Sequence, residues 1–134
     1  VLGFNQICAI DSDQDAIRIS KENSALNKIY DIKYIKSGIE NFVLASKKYF
    51  IIANIQANIL KENAARIIQK TTPESYLLLS GILKKESCEI TEFYEFLFQE
   101  QGYSVQSEIK YENDWCLIQF IIRDWKTKSK RQVS

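Results

Sequence analysis

The sequence predicts an α/β fold, a mainly parallel sheet with an antiparallel edge, on three observations. Tyr49 to Ala53 is an apolar run without alternation that ends at Asn54 and passes straight into a helical pattern. A strand covered on both faces of a parallel sheet reads this way. Short strand-like runs and helical periodicities alternate three times along the chain, as βα units do. Two longer strand-like runs, Tyr103 to Tyr111 and Trp115 to Arg123, then flank the polar joint Glu112-Asn113-Asp114, which reads as a hairpin.

The elements follow in order. Gln6 to Ile10 is a short apolar strand, and Asp11-Ser12-Asp13-Gln14-Asp15 opens a helix expected to reach about Leu26. Ser12 with Asp15 three residues on fits a capping box, and acids in the first turn suit the positive end of the helix dipole. Asp11 is left over by that cap. A second strand is expected over Ile32 to Ile35, and a short helix or turn over Glu40 to Ala45. The strand Tyr49 to Ala53 follows, and then a helix from about Asn58 to Gln69. Ile59, Leu60, Ala64, Ile67 and Ile68 give that helix a core-facing stripe. Pro73 introduces a strand at Ser75 to Leu79, which Ser80-Gly81 is expected to close. Ile90, Phe93, Tyr94, Leu97 and Phe98 then mark an amphipathic helix that stops at Gly102.

Length and composition bound the rest. A chain of 134 residues with 46% hydrophobic and 26% charged residues is an ordinary globular domain. The longest apolar runs are far shorter than the roughly 20 residues a membrane-spanning helix needs. The formal charge of +1 gives no whole-molecule case for nucleic acid or membrane. Lys126, Lys128, Lys130 and Arg131 make residues 126–134 a basic flexible tail, with residues 1–125 as the folded part. That tail is either a solvated terminus or an arm drawn to RNA or an acidic surface. Three widely spaced cysteines suggest neither a disulfide framework nor a metal knuckle, so no metal site is expected and a cytoplasmic location is. Cys8 and Cys116, inside strands, read as small hydrophobes. The chain contains no histidine, which excludes Ser-His-Asp and Cys-His nucleophilic sites. It begins Val-Leu-Gly-Phe-Asn, like a helix end with its glycine stop, so a fragment is expected.

Two residues carry the chemistry. Asp11 ends a strand just before a capped helix, where nucleotide-binding α/β sheets place an acid that accepts from ribose hydroxyls; the same position also suits plain turn and cap chemistry. Asn54 ends another parallel strand and offers one amide donor and one carbonyl acceptor, although Asn is also a turn former. No G-x-G-x-x-G and no P-loop is present, and Gly3, Gly38, Gly81 and Gly102 stand singly.

Ile10-Asp11-Ser12-Asp13 with Ala16-Ile17, Glu22-Asn23 and Leu26-Asn27, then Ala53-Asn54-Ile55 with Ile59-Leu60, then Leu79-Ser80-Gly81-Ile82, resemble the C-terminal part of ribosomal protein L-eleven methyltransferases. Gly102-Tyr103 and Glu112 to Trp115 fit the closing hairpin of that family. The resemblance implies a Rossmann-like class I methyltransferase sheet and S-adenosylmethionine as cofactor. It also implies a ribosomal protein as substrate, Asp11 as the ribose-binding acid, and Asn54 as the cofactor-proximal and catalytic residue. It further implies that the first strand and the Gly-rich loop of the family lie before residue 1. In the class I strand order 3-2-1-4-5-7-6 that strand is central, so its neighbours are expected to keep unpaired edges. Two other readings stand beside it: a remnant without cofactor binding or catalysis, and a nicotinamide-binding fragment, which an acid ending the second strand also suits.

Overall fold

The computed structural model describes residues 4–43 and 49–124. The chain divides into two compact units, Val1–Val43 and Leu44–Ser134, each with its own sheet. The α/β class holds in both. The expected tail at 126–134, the glycine stop at residue 3 and the end of the turn expected over 40–45 lie outside the described residues. Within that last stretch, a turn at 39–41 is closed by the Asn41 N–H on the Gly38 carbonyl at 3.2 Å.

The first unit is a strand, a helix and a parallel strand: β1 (Ile7–Asp11), α1 (Gln14–Leu26) and β2 (Ile32–Lys36), paired from Ile7↔Ile32 to Asp11↔Lys36. The cap of α1 is Asp13, not Ser12. Asp13 has the extended backbone a cap needs, and its carboxylate accepts the Asp15 N–H at 2.8 Å. The opposite end closes without glycine. Lys28 takes a left-handed φ of 56°, its N–H meets the Ala25 carbonyl, and the Ile29 N–H reaches the Ser24 carbonyl at 2.8 Å. This is the Schellman arrangement, which satisfies carbonyls that the helix end would otherwise orphan. Ile17 is the buried side chain of α1. Cys8, expected as a buried hydrophobe, is exposed, and so is Cys88; only Cys116 is buried.

The second unit runs β3 (Phe50–Asn54), α2 (Ala57–Glu62), α3 (Ala64–Gln69), β4 (Tyr76–Leu83), a single 3-10 turn at Lys84–Glu86, α4 (Ser87–Glu100), β5 (Tyr103–Glu112) and β6 (Trp115–Asp124). The sheet order is β3-β4-β6-β5, with β3 parallel to β4 and the β5–β6 hairpin antiparallel. The hairpin joint is two residues long, Asn113-Asp114, because Glu112 still pairs with Trp115; Asn113 supplies the positive φ such a tight turn requires.

One continuous helix was expected over 58–69, and two short ones form. Tyr94, from α4, donates its hydroxyl to the Leu60 carbonyl at 2.8 Å, the group an unbroken helix would offer to the Ala64 N–H. Both the main-chain N–H and the side-chain amide of Asn63 turn to the Ile59 carbonyl, and the second helix starts from there. The stripe still points inward at Leu60, Ala64, Ile67 and Ile68, while Ile59 is partly exposed.

The core lies between these helices and one sheet face. Ile90, Tyr94 and Phe98 of α4 meet a sheet face built from Leu77, Leu79 and Ile82 of β4 with Ile118, Phe120 and Ile122 of β6. The Tyr94 ring stacks on Phe120 at 5.7 Å between centroids, and Phe98 tilts against the same ring. Buried positions on β4 are odd-numbered up to Leu79 and even-numbered at Ile82. A strand alternates with period two, so this change of phase needs one extra residue. The register supplies it: Leu79 pairs with Ile118 and Ile82 with Cys116, so β4 gains one residue over β6. Ser80-Gly81, expected to end the strand, is therefore a bulge inside it, with Gly81 at φ 77°.

The expectation that β3 is covered on both faces is not met among the described residues. Ile51 and Ala53 are half-buried, whereas Phe50 and Ile52 on the other face are 44% and 64% exposed. β3 is an edge strand, so its outer flank has no neighbouring strand there either.

Candidate functional site

Asp11 is the last residue of β1 and is exposed. Its main-chain carbonyl accepts the Ser37 N–H at 3.0 Å, tying it to the end of β2. Oδ1 accepts the Asp13 N–H at 2.8 Å, so Asp11 is not left over by the cap; it forms the turn that delivers Asp13 to the cap position. No described residue donates to Oδ2. A carboxylate fixed through one oxygen with the other open to solvent is oriented to accept a hydroxyl.

Asn54 ends β3, beside Ser80 of β4 in the parallel ladder. Its side-chain amide makes no hydrogen bond to a described residue and opens on a cavity of about 620 Å³. The other walls of that cavity are Ser80 and Gly81 from the bulge, Lys110, Tyr111 and Glu112 from the end of β5, and Trp115, Cys116 and Leu117 from the start of β6. Tyr111 is 49% and Trp115 54% exposed, large aromatic surfaces turned to open space.

The hairpin end is held in place from the start of α4. The Lys84 N–H donates to the Asp114 carbonyl at 2.8 Å, the Ser87 hydroxyl lies 3.2 Å from the Tyr111 hydroxyl, and the Lys84 ammonium sits 5.3 Å from the centre of the Tyr111 ring. Two aromatic faces, an amide without a hydrogen-bond partner among the described residues, the Glu112 carboxylate and the Lys110 ammonium give this wall apolar surface with groups of both charges. Burial, with Glu86 nearby, raises the pKa of Cys116, which keeps this lining thiol neutral.

The structure places Asp11 in the first unit and Asn54 in the second, each at the carboxyl end of a parallel strand, as the sequence implied. Tyr111 and Trp115 were not singled out as site residues from sequence. Their place beside Asn54 depends on the β4–β6 register, and an exposed aromatic within a strand was the only local sign of it. Among the described residues, no group of His, Cys, Asp and Glu is arranged to hold a metal ion, and no helix is long and apolar enough to cross a membrane.

Comparison with known proteins decides the family. The sequence profile of the ribosomal protein L11 methyltransferases (PrmA) matches residues 1–122. The chain belongs to the ribosomal protein L11 methyltransferase family. A relative of that name from Shewanella pealeana is 33% identical over 116 residues, spanning 85% of this chain and 36% of its own length. The crystal structure of the ribosomal protein L11 methylase from Lactobacillus delbrueckii subsp. bulgaricus superposes with a TM-score of 0.74 at 24% identity, over 91% of this chain and 60% of that one. M. jannaschii TYW2, solved in complex with AdoMet, gives a TM-score of 0.68 at 16% identity over 87% of this chain and 57% of its own. The chain spans about a third of the length of the curated L11 methyltransferases it matches.

The fold is Rossmann-like and of the methyltransferase kind. With its first strand left out, the class I order 3-2-1-4-5-7-6 becomes 3-2 and 4-5-7-6. Those are the two sheets observed, β2-β1 and β3-β4-β6-β5. Among the described residues β1 pairs with β2 alone and β3 with β4 alone, so each keeps one open parallel edge.

Proposed function

We propose that this chain is the C-terminal part of the catalytic domain of an S-adenosylmethionine-dependent protein N-methyltransferase acting on a ribosomal protein. The observation that carries this reading is Asn54: an amide without a hydrogen-bond partner among the described residues, at the carboxyl end of a parallel strand and opening on a cavity with aromatic walls. Ligands of open α/β sheets bind at those strand ends.

The residues present fit two parts of the cofactor. Asp11 offers an open carboxylate oxygen for a ribose hydroxyl, and Asn54 offers a carbonyl and an amide for the reacting end. The glycine-rich loop that would hold the rest is not in this sequence. When bound, S-adenosylmethionine supplies a methyl group on a sulfonium, open to in-line attack by a nitrogen lone pair.

The protein's part is positioning. The Asn54 carbonyl would accept an N–H of the acceptor amine and so orient its lone pair, while Trp115 and Tyr111 would cover the aliphatic chain behind it. Orientation of this kind supplies a large share of a bimolecular rate, and no general base is needed beyond a neutral amine. The methylated amine would give up its proton to water.

The open edges of β1 and β3 favour a second reading, in which residues 1–134 alone bind no cofactor. Calorimetry separates the two. S-adenosylmethionine is titrated into residues 1–134, and into a chimera that joins them to the N-terminal part of the Lactobacillus delbrueckii methylase. Binding by the chimera with about a tenfold loss of affinity in Asp11→Ala is the expected result, since a hydrogen bond to a charged group is worth about that much. Equal affinity with and without the Asp11 carboxylate removes the ribose role. Micromolar binding by residues 1–134 alone removes the remnant reading.

A further inference from the structure

Gly81 meets Asn54 in a way that neither the bulge nor the cavity requires. A Cβ built on Gly81 would lie 3.0 Å from the Asn54 Oδ1, 3.0 Å from the Ile55 carbonyl oxygen and 3.3 Å from the Ile55 carbonyl carbon. The space that a side chain at 81 would need is therefore already taken by the Asn54 amide oxygen and the peptide that follows. Asn54 pairs with Ser80 in the parallel ladder, so the extra residue of the β4 bulge falls beside the amide. Asn54 is exposed and makes no side-chain hydrogen bond to a described residue, which leaves the main chain at Gly81 as the packing surface beside its amide oxygen.

We propose that Gly81 is the positioning residue for the Asn54 amide. Its left-handed φ makes the bulge, and its missing Cβ makes the seat on which the amide oxygen rests. A side chain at 81 pushes the carbonyl of Asn54 off that seat and fills part of the cavity from the β4 side. The function of the amide rests on the reading given above; the coupling between the two residues does not, and its test needs no cofactor.

Gly102 provides a matched control. Its φ is 79°, against 77° for Gly81, but a Cβ there would meet nothing within 4 Å. Alanine at either position carries the same backbone penalty, and only at 81 does it add a contact.

Urea unfolding of residues 1–134 is measured for Gly81→Ala, Gly102→Ala, Asn54→Ala and the two glycine–asparagine double variants. Expected is a lower folded-to-unfolded ratio for Gly81→Ala than for Gly102→Ala. Gly81 and Asn54 are expected to be non-additive by at least about threefold, while Gly102 and Asn54 are additive. In nitrogen–proton correlation spectra the Asn54 side-chain amide pair, identified by its loss in Asn54→Ala, moves in Gly81→Ala and stays in place in Gly102→Ala. Additive costs at both glycines, or an unmoved amide pair in Gly81→Ala, overturns the proposal. Should Gly81→Ala fail to fold, recovery of folding in the double variant with Asn54→Ala upholds it. Failure of both assigns the contact to the Ile55 main chain and overturns it.

Discussion

Tyr94 shows how one side chain sets the course of the chain around it. Its ring completes the core against Phe120, and its hydroxyl takes the Leu60 carbonyl and so divides α2 from α3. Burial raises the phenol's pKa well above its ordinary value, because the ionised form would have to be desolvated. The folded pKa exceeds the unfolded one, so the stability the phenol lends is complete below pH about 10. It is lost as the pH climbs toward the folded value. Tyr94→Phe is expected to lose about 1 kcal/mol at neutral pH, the net worth of one hydrogen bond, and to flatten the fall in stability above pH about 10. Urea melts of both proteins from pH 7 to 11 check this; parallel alkaline limbs would assign that fall to another group. None of this was legible in the sequence, where Tyr94 was one more apolar position of a helix. The cap of α1 was hidden for a different reason. Asp11, Ser12 and Asp13 all have capping side chains, and the choice among them depends on which residue is extended. In the fold Asp11 makes the turn and Asp13 the cap.

At the level of elements, the legible parts are those with an unbroken period. The first strand and helix, the strand ending at Asn54, the helix before Gly102 and the closing hairpin all lie within a residue or a few of where the hydrophobic pattern put them. The extent of β4 was hidden, because a bulge shifts the phase of burial and a phase shift at a glycine looks like the end of a strand. The coverage of β3 was misjudged, since an apolar run records what a strand can bury and not what lies over it. Helix α1 ends on a lysine in a conformation that costs an L-residue roughly 1 kcal/mol. Lys28→Gly keeps both main-chain bonds of the helix end and removes that cost. The expected gain is up to about 1 kcal/mol, partly offset by the greater freedom of glycine in the unfolded chain. It is read as slower amide hydrogen exchange across Ser24–Ile29, and unchanged or faster exchange there would show that the turn is not strained.

The whole chain carries one family pattern through two units, each described by its own sheet. The order β2-β1 in one and β3-β4-β6-β5 in the other is what the class I order leaves without its first strand. The sequence made this visible through short segments, those around Asp11 and Asn54 among them, and the family profile over residues 1–122 agrees. The cavity walls were not visible, because Tyr111 and Trp115 come to line the same cavity as Asn54 only through strand register. On the proposed reading Asn54 faces the methyl acceptor. The most direct test is transfer of labelled methyl from S-adenosylmethionine to ribosomal protein L11 by the chimera, with and without Asn54→Ala. The expected rate is lower by on the order of a hundredfold, as for loss of one positioning contact at the reacting atoms, with cofactor affinity changed only a few-fold. An Asn54→Ala chimera that keeps both full transfer rate and full cofactor affinity would contradict that reading.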